Sequence, residues 1–269
     1  MVNYIFIYGA IVLYLTCAVL LFFHIKQPAE NVGALSKKQI VSIGLAGLLL
    51  HILALYNSII SPLGINLGFY NAMSLVSAFI VLFTLTATWR HPVEILSSIL
   101  LPIAAITMLL DINSDTDHIL DVNSSNALIF HILTSIIAYS LLTLAALQAI
   151  LISIQNKLLH AHHPGGIIKL MPPLRNMEVL LFEIIVIGFV ALTIALGSGL
   201  IFLENMFAQQ LVHKTILSIF AWFIFLILLV GHWKLGWRGR IATRWTIGGF
   251  ISLMLAYFGS KFVLEVLLT

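Results

Sequence analysis

Residues 213–245 read HKTILSIFAWFIFLILLVGHWKLGWRGRIATRW. Val212–Gly231 is mostly apolar and holds no charged residue beyond Lys214. That length, about 20 residues, crosses a bilayer as a helix. The character then changes abruptly. Lys234, Arg238, Arg240 and Arg244 fall among Trp233, Trp237 and Trp245. An apolar span that ends in a cationic, aromatic belt is a membrane helix meeting an interface, and excess Lys and Arg mark that interface as the inner one.

The rest of the chain repeats the pattern. Of 269 residues, 61% are hydrophobic and 9% charged, and mean hydropathy is +1.11. A soluble domain carries about 25% charged residues, so the chain has too few to cover a water-facing surface. Eight spans are expected: Tyr4–Phe23, Ile40–Tyr56, Leu67–Thr88, Val93–Leu110, Leu128–Ile154, Val179–Phe202, Val212–Gly231 and Thr246–Leu268. The first lacks a basic leading segment and an A-x-A site, and reads as a retained helix. No internal repeat appears, so residues 1–269 read as one integral membrane domain.

Loop charges set the orientation. Lys26, Lys37 and Lys38 follow span 1, Arg90 follows span 3, and Lys157, Lys169 and Arg175 follow span 5. The basic belt above follows span 7. Loops after spans 2 and 4 hold no Lys or Arg, and the loop after span 6 precedes only Lys214. The expected fold is therefore an all-α, polytopic bundle of eight transmembrane helices with both termini outside. Trp89, Trp233, Trp237 and Trp245 fall at inner ends of spans, and only Trp222 lies well inside one.

Several functions have no support. The single cysteine, Cys17, excludes an internal disulfide and a C-x-x-C-H haem attachment. There is no Walker A motif, no G-x-S-x-G and no H-E-x-x-H. No nucleophile, base and orienting group occur together, so no enzyme is expected. The net charge of +3 does not suggest nucleic acid. No chain of buried carboxylates suggests an ion pump.

Ionisable residues in lipid require a reason. His51 lies about 11 residues into span 2, roughly 16 Å from its inner boundary, in the outer half of the membrane. His131 opens span 5 and His213 opens span 7, both entering from outside. Three helices thus carry imidazoles to the outer part of the bilayer. Paired imidazoles on facing helices can ligate a haem iron; alternatively, each hydrogen-bonds a neighbouring helix. His131, Ser135, Ala138 and Thr143 form a small, polar stripe suited to close helix approach.

Other groups read as ordinary. His24, His91 and His232 are interfacial, and His160, His162 and His163 lie in an inner loop. Asp111, Asn113, Asp115 and Asp117 have calcium-loop spacing, but Thr116 and Val122 replace the required Gly and Glu. Lys261 and Glu265 form an i,i+4 pair, and Glu183 is interfacial. The tryptophan–arginine belt attracts anionic lipid headgroups by about 1 kcal/mol per cation, so membrane lipids are expected partners.

The stretches 131–150 (HILTSIIAYSLLTLAALQAI), 171–189 (MPPLRNMEVLLFEIIVIGF), 213–245 and 257–268 (YFGSKFVLEVLL) resemble the bacterial cytochrome c assembly family. The likeness covers about residues 40–268 and is greatest to the short, eight-span, YpjD-like branch related to HemX and CcsA. It implies a multi-pass protein of the bacterial inner membrane that handles haem in cytochrome c biogenesis, beside other membrane proteins of that process. It implies outer histidines at His131 and His213 and a within-membrane histidine at His51. Larger relatives hold haem beside an outer, tryptophan-rich loop. Here no tryptophan lies in an outer loop; the loop after span 4 is acidic, and that after span 6 reads LENMFAQQ. Without that aromatic surface, any haem is expected to be weakly held, for transfer or sensing. The competing reading is a non-haem permease, transport accessory or structural subunit.

Overall fold

The computed structural model describes residues 2–26, 35–61, 64–112, 119–121, 126–160, 170–202 and 212–259. Its helices are α1 (Val2–Lys26), α2 (Lys37–Ile59), α3 (Phe69–Arg90), α4 (Glu94–Ile112), α5 (Asn126–His160), α6 (Leu174–Phe202), α7 (Val212–Leu235) and α8 (Gly239–Met254). A π-helical turn, Leu255–Gly259, continues α8. The first seven are long and apolar enough to cross a membrane. For the expected eighth span, the helix begins seven residues before Thr246, and residues 260–269 lie outside the description.

Backbone polar groups in lipid must be satisfied within the segment, which dictates helices. The helix limits follow local chemistry. Ser36 caps α2 in a capping box with Gln39, satisfying donors that the first turn leaves open. Gly236, at φ +67°, ends α7. Its N–H donates to the His232 carbonyl at 3.1 Å, the left-handed cap that glycine favours.

One departure from the all-α expectation is a small antiparallel sheet: β1 (Ile60–Ser61), β2 (Gly64–Asn66) and β3 (Ile119–Asp121). Ile60 pairs with Ile65, and Ile65 with Leu120. The segments after α2 and α4 are thereby joined, so these two helices end on one side of the bundle. Backbone leaving the helical region still needs partners, and the sheet supplies them.

The helices form two compact units. The first, Met1–Val122 with Lys169–Pro172, holds α1–α4. Here α1 packs on α2 and α4, and α3 on α4 and α2. Glycines allow close approach: a side chain at Gly44 would meet Cys17 Sγ, and one at Gly47 would meet the Tyr14 ring, each at 2.9 Å. Small residues at interfaces drive helix association where lipid gives no hydrophobic preference. Hydroxyl pairs add to it, Ser77 with Thr107 at 2.8 Å and Thr88 with Ser97 at 2.6 Å. At the α2 and α4 starts, Lys37 Nζ lies 2.8 Å from Glu94 Oε1 and donates to the His91 carbonyl at 2.8 Å.

The second unit, Asn123–Ile168 with Pro173–Thr269, holds α5–α8. Its most buried span is α5, which packs on α6 and α8. Gly188 of α6 sits against Leu141 and Leu142 of α5. Tyr139 of α5 lies between Phe250 and Tyr257, with ring centroids 6.1 and 6.0 Å away. Large apolar side chains such as Leu49, Ile106, Ile187 and Phe220 are exposed, as a lipid-facing surface requires.

Candidate functional site

His51 lies on the α2 face that also carries Gly44, Gly47, Leu48 and Ala54. Gly47 lets the Tyr14 ring of α1 approach the helix. The Tyr14 Oη then reaches His51 Nδ1 at 3.1 Å, and Ser74 Oγ of α3 reaches Nε2 at 3.0 Å. The imidazole is fully buried. A neutral imidazole donates at one nitrogen and accepts at the other, and both nitrogens of His51 have protein partners. The triad joins three helices of the first unit.

His131 belongs to the second unit. Because α5 begins at Asn126, the residue lies in the second helical turn. Its Nδ1 donates to the Ala195 carbonyl of α6 at 2.9 Å and approaches Ser198 Oγ at 3.2 Å. The Ser198 hydroxyl also donates to the Ala195 carbonyl, at 2.9 Å. A carbonyl only accepts, so Nδ1 carries the proton and Nε2 holds the free lone pair of the neutral ring. Histidines that bind metals are oriented in this way, with one N–H on a carbonyl and the other nitrogen offered to the ion. The side chain is half-buried. Nε2 has no hydrogen-bond partner among the described residues.

The His213 backbone stands in the first turn of α7, and its side chain lies outside the described residues. So do His162, His163, Lys261, Glu265 and residues 203–210. His51 and His131 are thus each placed within a separate unit, with partners of their own. Among the described residues no three His, Cys, Asp or Glu side chains gather as a metal site.

The family model described as cytochrome C assembly protein matches residues 40–268. The chain belongs to the cytochrome c assembly family. Inner membrane protein YpjD of Escherichia coli K12 is 34% identical over 209 residues, covering 76% of this chain and 77% of the relative. The cytochrome c biogenesis protein CcsA of Chlamydomonas reinhardtii is 28% identical over 143 residues, covering 52% of this chain and 39% of the relative. The resemblance to the YpjD-like branch therefore holds, and the family member described here is a multi-pass inner membrane protein.

Sequence reasoning did not name Tyr14, Ser74, Ala195 or Ser198 as partners of the histidines. The signal for the first was Gly47, four residues before His51 on the same face. The second was marked by small residues, Ala195 to Gly199, near the α6 end. Nothing in the sequence marked the stacking of His232 on Phe182, with centroids 3.5 Å apart.

Proposed function

We propose that this chain binds haem transiently at its histidines and hands it on during cytochrome c biogenesis. Membership of the cytochrome c assembly family supports the biogenesis role. The single observation that carries haem ligation is His131, whose Nδ1 is held by the Ala195 carbonyl while Nε2 is uncommitted. His131 is the first ligand, and His213, opening α7, is the candidate for the second. His51 would join only by releasing Tyr14 or Ser74. Haem iron here supplies an acceptor for imidazole nitrogen; the protein orients the ring and keeps its proton on Nδ1. No nucleophile with a base is part of this reading, which is binding and transfer rather than catalysis.

The test is titration of haemin into detergent-purified protein, followed by Soret absorbance. A saturable shift is expected in the wild type. His131→Ala and His213→Ala should each weaken it strongly, and His51→Ala far less. No shift, or a shift that survives loss of all three histidines, overturns the reading.

A further inference from the structure

Where α6 begins and α7 ends, one face of α6 is open as a groove of about 530 Å³. Arg175, Val179, Phe182, Val186 and Ile187 follow one another along it. Their i, i+4, i+7 progression is a single helical stripe, about 18 Å long at 1.5 Å per residue. Trp233 and Arg238 stand at the mouth with the edge of His232.

The walls are fixed by other contacts. Glu178 lines the groove, and its Oε1 accepts the Gly239 N–H at 2.9 Å. That carboxylate sits at the N-terminus of α8, where a helix favours negative charge, and it anchors the turn that carries Arg238. The His232 ring stacks on Phe182 and donates from Nδ1 to the Trp237 carbonyl at 2.9 Å. Glu183, also in the lining, has an interaction of its own. The Arg175 and Arg238 guanidinium groups are exposed and have no hydrogen-bond or ion-pair partner among the described residues. Two exposed guanidinium groups thus stand at the head of an apolar track.

We infer that this groove binds a phospholipid of the surrounding membrane. Its phosphate lies on Arg175 and Arg238, and one acyl chain lies along Val179, Phe182, Val186 and Ile187. The dimensions agree: one leaflet contributes half of a hydrocarbon core about 30 Å thick, close to the length of the stripe. Trp233, 65% exposed, stands at the mouth, at the depth where interfacial tryptophans meet headgroups. A soluble phosphate would satisfy the guanidinium groups and leave the apolar stripe bare. A neutral diglyceride would cover the stripe and leave both cations unpaired.

The experiment uses the delipidated full chain in a nonionic detergent with three probes: dioleoylphosphatidylglycerol, dioleoylglycerol and inorganic phosphate. Native mass spectrometry and thermal unfolding report binding. Only the phospholipid should remain bound and raise Tm. The double variant Arg175→Gln/Arg238→Gln should bind it about 30-fold more weakly, the product of two cations acting on an anionic headgroup. Arg244→Gln, in the same basic belt but outside the groove, should bind as the wild type does. Ile187→Trp, at a lipid-exposed position, should block the chain and weaken binding. Equal binding of dioleoylglycerol, equal stabilisation by phosphate alone, or an unchanged double variant overturns the site. The wild-type probe comparison decides the matter even if the double variant does not fold.

Discussion

His51 and His131 are the same side chain put to different uses by their neighbours. At His131 a carbonyl fixes the proton on one nitrogen, and the other has no hydrogen-bond partner among the described residues. At His51 two hydroxyl groups take both nitrogens, inside a fully buried site. A polar group buried without a partner costs about 1–3 kcal/mol, so His51 acts chiefly as a tie between α1, α2 and α3. Replacing it by Leu strands the Tyr14 and Ser74 hydroxyls. Detergent-phase unfolding of His51→Leu should show a loss of about 1–3 kcal/mol. Tyr14→Phe should cost less, and the Tyr14/His51 coupling energy should be near the ~0.6 kcal/mol found for membrane hydrogen bonds. Wild-type stability in His51→Leu would show that the triad does not hold these helices together. His131→Leu, at a half-buried position with only Nδ1 engaged, should be the milder change for folding and, on the proposed function, the more severe for haem.

Among the elements, the seven spans were legible because backbone in lipid must satisfy its own polar groups, which a mostly apolar run of that length does as a helix. The sheet was not. Strands of two and three residues carry no period, and β2 meets β3 across more than fifty positions of sequence. The His51 partners were hidden for the same reason, lying 37 and 23 residues away. The turn between α7 and α8 was half legible: the glycines of GHWKLGWRG were visible, but their purpose was not. Gly236 and Gly239 adopt positive φ, and Trp237 folds back so closely on Gly231 that a Cβ there would collide with its ring. Gly236→Ala should cost about 1–2 kcal/mol, the penalty for an L-residue in the left-handed region. Gly231→Ala should cost more, since the Trp237 ring must move off the helix, and its intrinsic fluorescence should shift as that ring leaves its packed site. Unchanged unfolding in both variants would mean that the turn does not brace α7 against α8.

Among the described residues four α-helices make each unit, and α1 is as much a part of the first as its neighbours. The family match begins at residue 40, after α1 ends. Yet α1 packs on α2 and α4 and supplies Tyr14 to His51. The expected orientation rests on charge alone, because helices and sheet are compatible with either direction of insertion. The single cysteine allows a direct test. Cys17 is fully buried and can be replaced by Ala, after which single cysteines are placed at exposed helix ends. The expected topology places Asn57 and Asn126 outside and Lys38, Lys157 and Lys234 inside. With 35 residues, α5 is about 52 Å long, longer than the hydrocarbon core, so Lys157 lies clear of it. An impermeant thiol reagent added to intact spheroplasts should label Asn57→Cys and Asn126→Cys, and should reach Lys38→Cys, Lys157→Cys and Lys234→Cys only after permeabilisation. That outcome puts the start of α1 and His131 on the outer side, as the expected topology requires. The reverse labelling would put His131 at the cytoplasmic face and overturn the expected topology.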